Sequence, residues 1–543
     1  MAERVNHSPR NPESFWQKGF PMYQCYTQSF KDTNGDGFGD LNGVREKLPY
    51  LHDLGIKSIW LNPIFLTDFA DGGYDVKNYK KIDPKFGDKK IYNQMVKEIH
   101  GAGMQIVLDL VLNHTSNKHP WFIESRSSRD NPKRHWYIWR DPKPDGSPPN
   151  NWPGDFGGSA WTRDRKTSQA YLHTFLPEQP DLNYENDEVI KAMGDVLRYY
   201  FENMKAGAVR LDAIPFVRKA EGLPDDAVNH AYKKEDHPNT RTSRKNMQFQ
   251  PGMMDALKYF SDIATKYTDK FLISESWDES WWKKVYRATP PGIHAPFNAQ
   301  PINLPWDPKA HTNFFTNFYN HLRPGDVAIT TFDSHDVYKR IATWGGDDQA
   351  PNVAMLNLTL PGIPVIYYGD EIGMKNWPVD PKSQTNPFAR FDPETKRTKE
   401  SSRLPMPWND GPNAGFTTGT PWLPIPQDYK ERNVEAQLTQ SNSILNLHKA
   451  LIAHREQSIQ LREGAYFPIG TGNKDVYGHQ CQTGRKKEIV LLNFTDKRQK
   501  IYLDLPGAKV ILKTDLTQKK DEKINLFDHE MRPNEGIIVS LNS

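Results

Sequence analysis

Short apolar runs of strand character alternate with segments of helical spacing up to about Arg455, and this alternation restricts the fold more than any other feature. MYQCYTQSF, IKSIWLNPI, MQIVLDLVL, GAVRLDAI, KFLISES, VAITTFDSH and PVIYYGDE carry the β-branched and aromatic residues of buried strands. Between two of them, DEVIKAMGDVLRYYFENM sets Val189, Met193, Val196, Leu197, Tyr200 and Met204 at helical spacing behind Asn186 or Asp187 as a cap. Repeated units of this kind predict the α/β class and a (β/α)8 barrel, with seven strands read directly.

Three acids end such runs: Asp212 in GAVRLDAI, Glu275 in KFLISES and Asp336 in VAITTFDSHD. In a barrel the C-terminal strand ends share one face, so the three carboxylates are expected to meet. Cleaving a glycosidic bond needs one carboxylate on the anomeric carbon and one carboxylic acid on the leaving oxygen, and a third acid can hold sugar hydroxyls. A lone strand-end acid is more often a turn residue. Three in matching contexts favour sugar chemistry.

Composition narrows the partner. A net charge of +3 over 543 residues, with both signs interspersed, gives no footprint for nucleic acid or a membrane surface, so a neutral small molecule is expected. Fifteen Trp and 23 Tyr suit the CH faces of sugars, although most such rings serve packing. Cys25 and Cys481, far apart, indicate no disulfide framework. The start MAERVNHSPRNPESFWQK has no apolar leader core, and no long apolar run follows, so a cytoplasmic location is expected.

Two excursions interrupt the alternation. Residues 115–182, rich in Trp, Pro and Gly, read as a lid inserted after strand 3, and 375–433 as a second excursion after the last strand. After the helix LTQSNSILNLHKALIAHREQS come EIVLLNFT, KIYLDL, KVILKTDL and GIIVSLN, short alternating runs that predict a C-terminal antiparallel β-sandwich. The expected divisions are 1–114 and 183–455 for the barrel, 115–182 for the lid and 456–543 for the sandwich.

DLVLNHT (Asp109 to Thr115), VRLDAI, Glu275 and SHD (Ser334 to Asp336) follow one another in the order and rough spacing of the four signature regions of the α-amylase family, glycoside hydrolase family thirteen, which the chain resembles from about Phe15 to about Arg455. GDLNGVREKLPYL, GGYDVKNY, NNWPGDFGGSAW, QPDLNYEN, YYGDEIGM and SRLPMPW resemble its α-glucosidase and oligosaccharide-cleaving branch, including trehalose synthases. The resemblance also implies a sixth strand near His294 to Asn298, in a run too weak to read unaided.

The resemblance implies a retaining mechanism with Asp212 as nucleophile, Glu275 as acid and then base, and Asp336 on the 2- and 3-hydroxyls. Arg210, on the same strand face, is expected to keep Asp212 ionised, and the apolar strand to raise the Glu275 pKa. His114 and His335 match histidines that hydrogen-bond the sugar, Tyr74 a stacking platform, and Asp75 with Arg403 a pair gripping the 4-hydroxyl. Such a pair blocks the pocket beyond one glucose and implies exo action on short oligosaccharides. Ala213, after the nucleophile, implies α-1,4 over α-1,6 cleavage.

Ser334 stands for the usual Asn, Ala208 for an aromatic, and Lys339 for an arginine three after Asp336, which bears on subsite shape. LDAIPFVRKAEG resembles the trehalose synthases and keeps a glucosyl-transferring isomerase as the alternative. A non-catalytic homologue of the transporter heavy-chain kind is disfavoured by the full set of acids.

DTNGDGFGD offers Asp32, Asn34, Asp36, Asp40 and the Phe38 carbonyl to a hard cation. Gly43 in the twelfth position, in place of a bidentate glutamate, excludes an EF-hand sensor, and an Asx-rich turn is the plain alternative. The resembling enzymes carry this loop as a calcium site, so structural Ca2+ is expected, with no organic cofactor.

Overall fold

The computed structural model describes residues 14–277, 279–337, 346–380, 386–391, 398–518 and 522–541. Met22–Cys25 (β1), Ser58–Leu61 (β2), Gln105–Val111 (β3), Ala208–Asp212 (β4), Phe271–Ser276 (β5), His294–Asn298 (β6), Ile329–Thr330 (β7) and Ile363–Tyr367 (β8) form a closed barrel. Each pairs in parallel with its neighbours in chain order, and β8 closes on β1. Strands buried on both faces need continuous apolar runs, as in Ala208–Asp212, where every residue is buried.

Register decides what meets at the rim. Asp212 pairs with Val111 and Leu211 with Ser274, which brings the ends of β3, β4 and β5 to one level. The sixth strand lies where the family resemblance implied. The seventh is shorter than its sequence run: β7 ends at Thr330, and Thr331 to Asp336 form a turn held by Thr331, Asp333 and Ser334 side chains. Asp336 therefore sits beyond the strand end instead of on it.

The helix Asp187–Glu202 behaves as its spacing predicts. Asn186 caps it, accepting from the Glu188 N–H at 2.9 Å, while Val189, Met193, Val196, Leu197 and Tyr200 are buried. Met204 lies past its end and is buried all the same.

The lid carries a small antiparallel sheet of Trp139–Arg140, Ala170–Leu172 and Trp161–Arg163. Its core of Ile138, Trp152, Ala160, Trp161, Ala170 and Leu172 also takes in Leu223 and Met247. Those two belong to a third excursion, after β4, which the sequence reading had left within the barrel. Lacking apolar periodicity, it shows no pattern until it is seen packed on the lid.

Downstream, Ala465–Pro468 (β9), Val476–Thr483 (β10), Lys486–Asn493 (β11), Ala508–Lys513 (β13) and Gly536–Leu541 (β15) make a five-stranded sheet, and Gln499–Tyr502 (β12) pairs with Phe527–Met531 (β14). The core between them includes Ile489, Leu491, Ile501, Met531 and Val539. The preceding helix runs Ile444–Gln457, so the expected boundary at 455 falls within its last turn. Cys25 and Cys481 are free and buried. Among the described residues no helix is long and apolar enough to cross a membrane.

Candidate active site

Arg210 organises the rim of the barrel. Its position on β4 faces inward with Asp212, since alternate residues of a strand share a face. Nη1 lies 2.7 Å from Asp109 Oδ1 and 2.5 Å from Asp212 Oδ1, and Nη2 lies 2.9 Å from Glu275 Oε2. Asp109 is buried and also accepts from Trp60 Nε1 at 2.9 Å. One guanidinium thus serves three carboxylates.

That division corrects the expectation that Arg210 simply keeps Asp212 ionised. Burial pushes the Asp212 carboxyl well above the ordinary range; Arg210 opposes this, while Glu275, Asp109 and Asp336 add to the rise. The surroundings of Glu275 also differ from the apolar ones expected. Its carboxylate accepts from Trp277 Nε1 at 2.6 Å and from the Ala213 N–H at 3.3 Å, besides meeting Arg210. Ala213 reaches it by adopting a left-handed backbone, φ 51° and ψ 28°.

Asp336 meets two cations and a histidine ring. Lys399 Nζ is 2.9 Å and Arg403 Nη2 3.4 Å from Oδ1, and His335 Nε2 is 3.2 Å from Oδ2. Burial alone would raise this carboxyl, but His335, Lys399 and Arg403 together hold it far below the usual carboxylate range. His335 is fixed at both nitrogens: Gln24 Nε2 approaches Nδ1 and the Tyr74 hydroxyl Nε2, each at 2.8 Å. An amide N–H donating to Nδ1 leaves the ring proton on Nε2. Tyr74 stacks on that ring, with centroids 5.5 Å apart and planes 9° apart.

These groups border a cavity of about 670 Å³, lined by Tyr74, His114, Asp212, Glu275 and Asp336 among others. His114 meets Gln179 Nε2 at 3.0 Å, and burial lowers its pKa to about 4, so it is neutral at pH 7. His335 stands behind Tyr74 and Asp336 and does not line the cavity.

The gripping pair implied by the resemblance is not where it was placed. Asp75 is fully buried and turned from the cavity, accepting from Thr67 Oγ1 at 2.7 Å and the Asp68 N–H at 3.0 Å. Arg403 donates from Nε to the His335 carbonyl at 2.8 Å and lies over the Tyr26 ring, also outside the lining. The acid and base that face the cavity are Asp71 and Lys399, each four residues earlier in the chain. Burial raises the Asp71 carboxyl, and Lys399 and Arg403 draw it back. An acid three before Tyr74, in ADGGYD, was the signal available for Asp71. Nothing in KESSR singles out the lysine.

Aromatic rings complete the wall: Phe156 and Phe175 from the lid, Phe216 after Asp212, Trp277 after Glu275. Lys399 reaches over Phe156, 5.5 Å from its ring centre, and so ties the last excursion to the lid. Lys339, at the departure three after Asp336, lies outside the described residues.

Residues 24–464 match the family model for the α-amylase catalytic domain. The chain belongs to the α-amylase family. It is a glycoside hydrolase by that membership, and its substrate is a carbohydrate. It is 34% identical over 512 residues to a probable α-glucosidase of Rhizobium meliloti (strain 1021), covering 90% of each chain. With an oligo-1,6-glucosidase of Heyndrickxia coagulans it shares 33% over 519 residues, covering 89% of this chain and 92% of the other. Among solved structures, a crystallised α-glucosyl transfer enzyme superposes with a TM-score of 0.90 at 29% identity, covering 97% of this chain and 99% of that one.

The loop from Asp32 to Asp40 is a series of Asx turns. Asp32 Oδ1 accepts from the N–H groups of Asn34 and Gly35, Asn34 Oδ1 from Asp36, and Asp36 Oδ1 from Phe38, each at 2.8–2.9 Å. Asp40 is otherwise engaged: its oxygens take Thr33 N and Oγ1 and cap the helix Leu41–Glu46 through the Gly43 N–H at 2.7 Å. Among the described residues no group of three His, Cys, Asp or Glu side chains is arranged to hold a metal ion. Asp32 is engaged as heavily, its Oδ2 accepting from the Gly37 N–H at 2.8 Å and from the Thr417 hydroxyl, so these hydrogen bonds do not set Asp40 apart from the other oxygens of the loop.

Proposed function

We propose that the protein is a retaining, exo-acting α-glucosidase that removes terminal glucose from short gluco-oligosaccharides. The observation that carries this reading is one guanidinium holding Asp212 and Glu275 at the floor of a cavity that Asp71 and Lys399 also face. Two carboxylates so close suit double displacement, in which the pair stands about 5 Å apart. Asp212 attacks the anomeric carbon as the bond to the leaving oxygen breaks, and that oxygen takes the proton from Glu275. Glu275 then accepts a proton from water as the water displaces Asp212, and glucose leaves with its α configuration.

The small Ala213 beside the nucleophile supports α-1,4 over α-1,6 linkages. A second reading, glucosyl transfer to a sugar, is favoured by the rings of Phe156, Phe175 and Phe216, which shield the intermediate from water. Incubation with maltose, isomaltose, sucrose and trehalose, one at a time, with every product identified, separates the two. Glucose from maltose supports hydrolysis, a rearranged disaccharide supports transfer, and no change in any sugar refutes both. Calcium at Asp32, Asn34, Asp36, Asp40 and the Phe38 carbonyl is proposed as a structural ion.

A further inference from the structure

Asp155 gives the cavity wall an open carboxylate oxygen. It belongs to the lid, its N–H donating to the Thr174 carbonyl at 2.8 Å, and it lines the cavity. Oδ1 takes both contacts of the carboxylate, from Asn239 Nδ2 at 2.7 Å and from Arg244 Nη1 at 2.9 Å. Among the described residues no donor meets Oδ2, yet that oxygen is not closed off, and 15% of the side chain stays exposed. Burial would raise this carboxyl, but Arg244, His237 and Asn239 hold it below the ordinary carboxylate range, so it is charged at pH 7. An ionised carboxylate only accepts hydrogen bonds. A ligand that meets Oδ2 must therefore bring hydroxyl or N–H groups to it.

The partners of Oδ1 say which part of the ligand. Asn239 and Arg244 both come from the excursion after β4, and that excursion leans on the segment that carries Glu275. Phe249 packs on Trp281, in the helix Glu279–Ala288 that follows β5, with ring centres 5.5 Å apart. Glu275 protonates the leaving oxygen, so the aglycone lies on its side of the site, whereas the terminal glucose lies with Tyr74, His114 and Asp71. Lid and excursion both follow the C-terminal ends of strands and so stand above the floor of acids. The rings of Phe216 and Phe249 suit any flat aglycone; the open carboxylate oxygen suits one with hydroxyls to donate.

We infer that Asp155 determines aglycone specificity: Oδ2 accepts from a hydroxyl of a sugar in the leaving-group site, so that sugars are favoured over aryl groups both as leaving group and as acceptor. This rests on the glucosidase reading above. If Asp155 merely tied the lid to the excursion through Oδ1, its replacement would affect every substrate alike.

The test compares wild type, Asp155→Asn and Asp155→Glu on maltose and on 4-nitrophenyl α-glucoside, whose aglycone lacks hydroxyls, with thermal unfolding of each protein. Asparagine keeps one oxygen for Asn239 and Arg244 and puts an NH2 group where Oδ2 stood, so it spares the tie and removes the acceptor. Asp155→Asn should lower kcat/KM for maltose by about tenfold or more, the effect of losing a hydrogen bond to a charged group, and leave the aryl glucoside within about threefold. The share of glucose transferred to added maltose should fall with it. Asp155→Glu keeps the charge for Arg244 but carries the second oxygen one bond further, so its loss should also be confined to maltose; it carries the comparison if the asparagine variant does not fold. Equal losses on both substrates, an unchanged ratio between them, or a wild type that cleaves only the aryl glucoside overturns the inference. No turnover of either substrate by the wild type overturns the glucosidase reading and the inference with it.

Discussion

Arg210 and Asp212, two residues apart on β4, face each other across 2.5 Å, and the same guanidinium nitrogen lies 2.7 Å from Asp109. Removing the arginine leaves three carboxylates close together with no cation among them. Arg210→Met should therefore cost about 3–5 kcal/mol of stability, the price of uncompensated buried charge, and abolish turnover. Arg210→Lys should fold better yet remain nearly inactive, since an ammonium cannot span Asp212 and Glu275. Denaturant unfolding and single-turnover rates check both; a stable, active methionine variant would refute the role.

Asp71 and Asp75 separate site from scaffold. Asp71→Asn and Lys399→Met should lower kcat/KM for maltose by about tenfold or more, through hydrogen bonds lost to the terminal sugar, with little change in melting temperature. Asp75→Asn, which disturbs the Thr67 and Asp68 contacts, should do the reverse. Steady-state kinetics beside thermal melts decide it.

Ala213 sits at φ 51° so that its N–H can face Glu275 Oε2. Ala213→Gly should be neutral to about 1 kcal/mol stabilising, because glycine takes this conformation freely. Ala213→Val should lose about 1–3 kcal/mol to backbone strain and move the preference from maltose towards isomaltose. A valine variant as stable as wild type, with unchanged linkage ratio, contradicts both halves.

Burial lowers the pKa of His114, His119 and His173 from 6.5 to about 4, and of His294 and His479 to about 3. Unfolded histidines take protons near 6.5, whereas these resist until lower pH. The unfolded state therefore gains protons first, and the stability present above pH 6.5 drains as pH falls towards 4. Melting temperature should drop clearly from pH 7 to pH 5. A flat profile across that interval would show that these rings are protonated in the fold.

Calcium, if it binds the Asp32 loop, stabilises the folded state alone. Chelation should lower the melting temperature and calcium titration restore it, with elemental analysis counting the ion. An unchanged melt, with no calcium found, leaves the loop as a run of Asx turns.

The barrel was legible because a strand buried on both faces must be apolar throughout, and a helix against it must carry a stripe. The acids of β4 and β5 were legible for the same reason, as charges at the ends of runs that otherwise exclude them. Strands β9, β10 and β14 were not read: AYFP, VYGHQCQT and FDHEM carry too many polar or turn residues to stand out, and their partners across the sheet supply the pattern. The excursion after β4 was likewise invisible, since Leu223 and Met247 become core only against the tryptophans of the lid.

In the site, the residue types and their chemistry came from the sequence, but the direction of each side chain did not. Asp71 and Asp75 share one short segment, and only the folded turn decides that the first faces the cavity while the second caps Thr67 and Asp68. The same holds for Lys399 and Arg403. Arg210 was foreseen beside Asp212, but not its division among three carboxylates, because Asp109 and Glu275 reach it from neighbouring strands. Local sequence fixes what a residue can donate or accept. Which partner it meets depends on register and loop packing, through contacts between segments far apart in the chain.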